Sequence, residues 1–502
     1  MIEFLIDKYS LKKLTLFNLI YRNSSLQNTY LAEELDISPR SVNRYIHALN
    51  DEITNLYDLD EFFQFDGLTY YKIDPKFSNQ DALDIFYLLK LHYLKTSLSF
   101  NLIVKLGTEE RTNFENLTTE LSISSSYLLR IIKSTSTHLE KFGFEIEIDK
   151  FNKVFFHGNE KKIRAFLFSF LTDSFQTIEW PFKNISRFEI HKMRLDGYDI
   201  PQNEFDDARI DFLIALISIR VSNKRFVTNS DSYISGIVSS LAEEENSNSL
   251  HVLTKFLDGN KNLPAEVKYY NFMVAIFISN TISSTKQQQI GKQLYNNDHE
   301  LIVFCKGLIQ EIETTKDIRL DLTNKYIELY KYTLFYTLIL DFELDLGLLL
   351  TLTFPTPNYN LKIKNTEMDR VENLYNDYLI QVKVSPTLKN ILENEAYLKF
   401  AYSITYNFWQ SFNKPSLHIY IQVLLDFTAK DYIKKRISSL FNPENITFTQ
   451  KISNAELIIS DTLEKSQSLP VFFIYDLQSR LEWDKLTDYI QELLLDKLFE
   501  QE

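Results

Sequence analysis

Glycine is scarce in this 502-residue chain: ten residues, about 2% where about 7% is usual. No two lie closer than Gly143 and Gly158. That spacing excludes motifs in which paired glycines bring backbone against a phosphate or a nucleophile: the P-loop, the dinucleotide fingerprint and the serine elbow. Cys305 is the only cysteine, which excludes intrachain disulfides and multi-cysteine zinc sites. Long apolar runs are also lacking. The best, Thr333 to Phe354, is broken by Asp341, Glu343 and Asp345, and carboxylates at mid-span are costly in a bilayer. The first residues have no basic segment followed by an apolar one, so no signal peptide is expected. The expectation is a protein of reducing cytoplasm with no membrane partner, no metal, no cofactor and no catalytic residues.

What remains is ordinary folding material, 44% hydrophobic and 24% charged. At about 150 residues per domain, the length predicts three or four domains. The net charge of −14 argues against indiscriminate coating of nucleic acid or anionic membrane. It leaves room for a small basic reading surface on an acidic body. Leu, Ile, Phe and Tyr recur at spacings of three and four, which predicts a mainly α, multidomain chain.

One internal repeat stands out. At a constant offset of 86, residues 31–46 match residues 117–132 at seven places: Leu31/Leu117, Glu34/Glu120, Leu35/Leu121, Ile37/Ile123, Ser38/Ser124, Arg44/Arg130 and Ile46/Ile132. Leu31 and Leu35 share one face of a short helix, and Ile37 plugs the turn that follows. Ser38 can cap the next helix, with Pro39 at its first position. Val42, Ile46 and Leu49 then face inward, leaving Arg40, Ser41, Asn43, Arg44 and His47 outward. In the second copy Ser124 is the cap and Leu128, Ile131 and Ile132 the inner face. Ser125, Ser126, Tyr127, Arg130 and Lys133 are its outward candidates. This is helix-turn-helix chemistry, with cations for phosphates or guanine and an amide for adenine. Each copy is followed by a predicted hairpin. One is Phe62 to Ile73 around Asp66-Gly67, a two-residue turn signal; the other is Phe144 to Phe156, turning at Asp149 to Asn152. Two winged helices on double-stranded DNA are the reading.

From about residue 160 to 410 the pattern is helical, with breaks near Pro181, Pro201, Pro264, Pro355, Pro357 and Pro386. The polar stretch of residues 283–298 reads as a divide. Leu417 to Leu425, Glu456 to Ile459 and Val471 to Tyr475 are strand-like, with helical patterns at Lys430 to Leu440 and Leu481 to Leu498. Strands alternating with helices predict a small parallel-sheet α/β domain.

This arrangement resembles the Mga/AtxA family of virulence regulators from Gram-positive bacteria. The local likeness is clearest at His157 to Arg164, where a wing passes into a helix, and at Asp211 to Arg220, which resembles a central helix of the family's first regulation domain. The resemblance implies winged helix-turn-helix domains at 1–78 and 79–159. It further implies helical domains like phosphotransferase-system regulation domains at 160–292 and 293–411, and a dimerising EIIB-like α/β domain at 412–502. It also implies an activator, a homodimer, and a possible phosphocarrier protein of the sugar phosphotransferase system as a partner.

Three departures weaken the phosphotransfer part. Ala208 stands where phosphorylated relatives carry His, no His falls between His299 and His418, and Asp426 to Ala429 lacks the phosphocysteine. His191, His251 and His299 remain as possible phosphorylation sites, each with a surface or capping role as the alternative. Cys305, in an apolar run, reads as a buried thiol. Two rivals stay open. One is a phosphotransferase component, which the missing cysteine opposes. The other is an interaction scaffold that binds no DNA, which the acidic residues after the first recognition helix allow.

Overall fold

The computed structural model describes residues 2–23, 25–57, 62–72, 79–109, 112–195, 204–227, 236–237, 241, 262–278, 282–342, 366–412, 416–422, 429–461, 469–474 and 476–500. Within them the repeat is reproduced in the backbone. The first copy comprises α1 (Ile2–Leu5), α2 (Lys8–Asn23), β1 (Ser25–Gln27), α3 (Asn28–Glu34), α4 (Pro39–Tyr57), β2 (Phe63–Phe65) and β3 (Thr69–Lys72). After α5 (Asn79–Lys95), the second has α6 (Leu98–Thr108), α7 (Phe114–Glu120), α8 (Ser125–Leu139), β4 (Phe144–Ile148) and β5 (Val154–Gly158).

The correspondence extends to individual hydrogen bonds. Asp36 and Ser122 both take the left-handed conformation in the turn, at φ 51° and 54°. Ile37 N–H donates to the Ala32 carbonyl and Ile123 N–H to that of Thr118, each at 3.0 Å. Ser38 Oγ accepts from Ser41 N–H at 3.2 Å, and Ser124 Oγ from Tyr127 N–H at 3.3 Å. Both hydroxyls satisfy a donor that a helix start leaves without an intrahelical partner. Deeper in each unit, one buried polar side chain ties the second helix to the wing. Asn50 Nδ2 donates to the Phe63 carbonyl at 2.8 Å, and Phe63 N–H returns a bond to Asn50 Oδ1 at 2.9 Å. Its counterpart at the same offset, Ser136 Oγ, accepts from Ile146 N–H at 2.9 Å.

The first wing has a strand the sequence reading missed, because three residues are too few to show alternation. β1 pairs with β3, giving the order β1-β3-β2. Its turn is shifted by one residue from the expected Asp66-Gly67. Phe65 pairs with Tyr70 and Asp66 N–H reaches the Thr69 carbonyl, so Gly67 and Leu68 form the loop and Gly67 supplies φ of 100°. Asp66 instead closes the turn from its flank. Its carboxylate accepts from the backbone N–H of Leu68 and Thr69 and from the Thr69 hydroxyl. The second wing turns where expected: Asp149 Oδ1 accepts from Phe151 and Lys153 N–H, with Asn152 left-handed.

The chain divides into two compact units, residues 1–309 with 319–356 and residues 310–318 with 357–502. In the first, α9 (Glu160–Phe175), α10 (Arg187–Leu195), α11 (Glu204–Ser222) and α12 (Leu263–Phe277) follow the second wing. Next come α13 (Ser284–Tyr295), α14 (Glu300–Lys316) and α15 (Leu322–Phe342), with α14 running across the division. The polar stretch read as a divide is α13 itself, so the expected boundary at 292/293 falls within a helix. Ile290, Gly291 and Leu294 are buried, and a Cβ on Gly291 would overlap the Tyr326 carbonyl of α15. Glycine is what allows two backbones this close. The central helix also starts earlier than its apolar run: α11 includes Ala208, which is buried.

The second unit contains α16 (Thr366–Gln381), α17 (Pro386–Leu392) and α18 (Glu395–Gln410), then an α/β segment. There β6 (Leu417–Gln422), β7 (Ile446–Phe448), β8 (Leu457–Ser460) and β9 (Val471–Phe473) form a wholly parallel sheet in the order β7-β6-β8-β9. β7 was not anticipated, again because it is three residues long. α19 (Ala429–Leu440) and α20 (Arg480–Glu500) bury Ile433, Ile437, Trp483, Leu486 and Ile490 with Leu417, Ile419, Leu457 and Ile459 of the strands. The stretch 426–428, where the phosphocysteine was looked for, and His251 lie outside the described residues.

The Asn50 bridge gives a first prediction. Asn50→Ala leaves the Phe63 N–H and carbonyl without partners, at about 1–3 kcal/mol for each buried group. Amide exchange in residues 62–72 should then accelerate at least about tenfold, since 1.4 kcal/mol is a factor of ten. Exchange unchanged from the native chain would mean that something else holds the wing.

Candidate nucleic-acid interface

The second helix of each copy is amphipathic, and burial fixes which side faces out. On α4, Val42, Ile46, Leu49 and Ile53 are buried while Arg40, Arg44 and His47 are exposed. On α8, Leu128 and Ile132 are buried and Ile131 is half-buried. Ser125, Ser126, Arg130 and Lys133 are exposed, and Tyr127 and Ser41 are half-buried. Both arginines lie over a neighbouring aromatic ring, Arg44 over Tyr45 at 5.5 Å and Arg130 over Tyr127 at 4.6 Å. Such stacking holds a guanidinium plane without consuming its donors.

Asn43 differs from its neighbours. Its Oδ1 accepts from the Tyr70 hydroxyl of β3 at 2.7 Å and from Asn28 Nδ2 at 2.8 Å. The amide expected to read adenine is thus tied to the wing, an arrangement sequence could not reveal because Asn28 and Tyr70 are distant in the chain. The helix ends are tied as well. Phe4 of α1 stacks on His138 of α8 with ring centroids 3.7 Å apart, so the N-terminus of the first copy packs on the second.

Residues 87–171 match the Mga helix-turn-helix domain. That stretch contains α6 to α8, the second wing and most of α9. The helix-turn-helix and wing of the second copy thus lie within the stretch that is similar to that domain. The chain is also 27% identical over 184 residues to a Streptococcus pneumoniae serotype 4 protein named "Putative trans-acting regulator". That match covers 36% of this chain and 34% of the relative. Among the described residues, no helix is long and apolar enough to cross a membrane.

The second winged unit is joined to the helices after it by a buried ion network centred on Arg164 of α9, which has no exposed surface. Arg164 donates to both oxygens of Glu266 on α12, to Glu160 and to the Arg225 carbonyl. Arg220 of α11 makes a two-pronged contact with Glu160, at 2.8 and 2.7 Å. Burial works against a charged Arg164, but the Glu160 and Glu266 carboxylates prevail and raise its pKa. Burial likewise opposes the Glu160 carboxylate, and Arg220 and Arg164 overcome it, holding its pKa below the ordinary value. The network reaches the wing: Arg225 lies 4.1 Å over the Phe155 ring of β5, and burial, then Arg220, lowers its pKa. Sequence reasoning passed over these residues, since a Glu and an Arg four apart on a helix normally mean a solvated pair.

The remaining candidates lie elsewhere. His191 of α10 is partly exposed, with Nδ1 3.5 Å from the buried Asp211 carboxylate. His299 precedes α14, where its Nδ1 accepts from Leu301 N–H at 3.2 Å and burial lowers its pKa. Cys305 is fully buried, which pushes its thiol pKa up.

The network predicts an acid-sensitive junction. Glu266→Ala strands a buried guanidinium and should cost about 3–5 kcal/mol. Because Glu160 has a depressed folded pKa, its contribution is complete above its ordinary value of 4.5 and is lost as pH falls through the folded value. Glu160→Gln should therefore flatten the acid limb of a melting-temperature profile. An unchanged acid limb would assign that sensitivity to other carboxylates.

Proposed function

We propose that this chain is a DNA-binding transcriptional regulator of the Mga/AtxA type, an activator of virulence or metabolic genes that works in the cytoplasm as a homodimer. The carrying observation is the duplicated helix-turn-helix, with cations on the outward side of both second helices. In this reading Arg40, Arg44, Arg130 and Lys133 meet phosphates or guanine, with Ser41, His47, Ser125, Ser126 and Tyr127 beside them. Asn43 positions the first wing and does not read a base. The later helices act as regulation-like domains, and the terminal α/β segment is EIIB-like and holds the dimer. The parallel sheet with its helices supports that last part. A full-length chain that sediments as a monomer at micromolar concentration would remove the dimer.

Arg44→Ala with Arg130→Ala should lower the log–log salt slope of duplex binding by about 1.8, at about 0.9 per phosphate contact. Both side chains are exposed, so thermal stability should not change. An unaltered slope and affinity would move the interface away from these faces.

Phosphotransfer from a phosphocarrier protein is the weakest part of the reading. His299 uses Nδ1 to accept a bond at a helix start, which leaves His191 the better of the two described candidates. Incubation with labelled phosphoenolpyruvate and the carrier proteins should give at most weak label, on His191. Stoichiometric label on His299 would reverse that ranking.

A further inference from the structure

The offset of 86 that relates the two copies also matches the outward faces of their second helices. Arg40, Asn43, Arg44 and His47 of α4 correspond to Ser126, Leu129, Arg130 and Lys133 of α8. Spacings of three, four and seven put each set on one side of its helix. One match is out of keeping: an amide in the first copy becomes a leucine in the second. Asn43 is half-buried, and its Oδ1 accepts from the Tyr70 hydroxyl and from Asn28 Nδ2. Leu129 is 50% exposed.

The inner side of α8 is complete without Leu129. Leu128, Ile132, Thr135, Ser136 and Leu139 are buried there. Around Leu129, by contrast, Ser125 and Ser126 one turn earlier and Lys133 one turn later are all exposed. The helix that presents it is firmly held. Ser124 caps its start, Thr135 Oγ1 donates to Ser99 Oγ of α6 at 3.0 Å, and Ser136 holds β4. A lone exposed leucine is ordinary on a protein surface. This one stands among hydroxyls and cations, at the place where the other copy ties its side chain to the wing.

We infer that Leu129 is a specificity-determining residue that reads thymine through its C5-methyl group, and that the first copy reads no base at the equivalent position. In the major groove every base pair shows hydrogen-bonding groups, but only thymine shows an apolar one. Leucine packs on that methyl. At cytosine it would meet an N4 amino donor that it cannot satisfy. A protein partner covering Leu129 would have to desolvate Arg130 and Lys133 beside it, whereas a polyanion meets them. This inference rests on the DNA-binding reading above. It adds that, at this position, base preference belongs to the second copy alone.

The test uses the full chain and a random-sequence duplex library. The tightest-binding duplex is selected, then resynthesised with deoxyuridine replacing one thymine at a time, which removes the methyl and nothing else. With the native chain, one or two positions should show roughly fourfold weaker binding, as for one methyl group taken out of contact. Leu129→Ala should bind the all-thymine duplex at least roughly fourfold more weakly and show no response to deoxyuridine at those positions. Its log–log salt slope should not change, because no phosphate contact is lost. Leu129→Met, still apolar and of similar size, should keep the response. Thermal melts should be the same for both variants, since the side chain is exposed. Equal deoxyuridine responses in the native chain and Leu129→Ala, or no response in the native chain, overturn the assignment. So does a chain that binds duplex without enriching any sequence. In those cases an Arg130→Ala slope lowered by about 0.9 keeps the DNA-binding reading. If the native chain binds no duplex, both fall.

Discussion

A guanidinium with no exposed surface sits at the joint between the second winged unit and the helices that follow. Desolvating such a group is costly unless its donors are met, and Arg164 makes four hydrogen bonds to two carboxylates and a backbone carbonyl. Those bonds fix α9 against α12, and the Arg220–Glu160 contact ties α9 to α11. They also bring Arg220 and Arg225 against the aromatic residues of β5. The wing is thus also touched by charges belonging to another part of the chain. A change in the packing of α11 or α12 has a physical route to the wing.

The winged units show how one scaffold accommodates two surfaces. The parts that define the unit are conserved between the copies in position and in role: the left-handed turn residue, the serine cap and the buried polar tie to the first wing strand. The tie is an amide in one copy and a hydroxyl in the other, since either can meet a strand N–H. The surfaces have diverged. Asn43 is consumed by the first wing, and Leu129 at the same place in the second copy is exposed.

Elsewhere the acidic and basic side chains work inward. Lys13 bonds to Glu52, which also accepts from the Tyr93 hydroxyl, and Lys90 bonds to Asp173 of α9. These contacts attach α5 to the first copy on one side and to α9 on the other. Net charge alone would suggest a uniformly repulsive body. Among the described residues, four carboxylates, Glu52, Asp173, Glu160 and Glu266, pair with the buried cations Lys13, Lys90, Arg164 and Arg220.

The sequence by itself determined the repeat, the capped second helices, the hairpins after them and the parallel α/β end. All of these rest on local pattern: a hydroxyl before a helix, apolar residues every three or four positions, alternation in a strand. Only the tertiary structure decided that Asn43 serves the wing, that residues 284–295 pack as a helix on α15, and that Glu160 and Arg164 are buried. It also decided that a three-residue segment such as β1 or β7 is a strand. In each case the deciding partner lies far away in the chain, where no local pattern records it. Burial then changes what the same residue type means: an exposed arginine keeps its donors for a ligand, and a buried one is a joint.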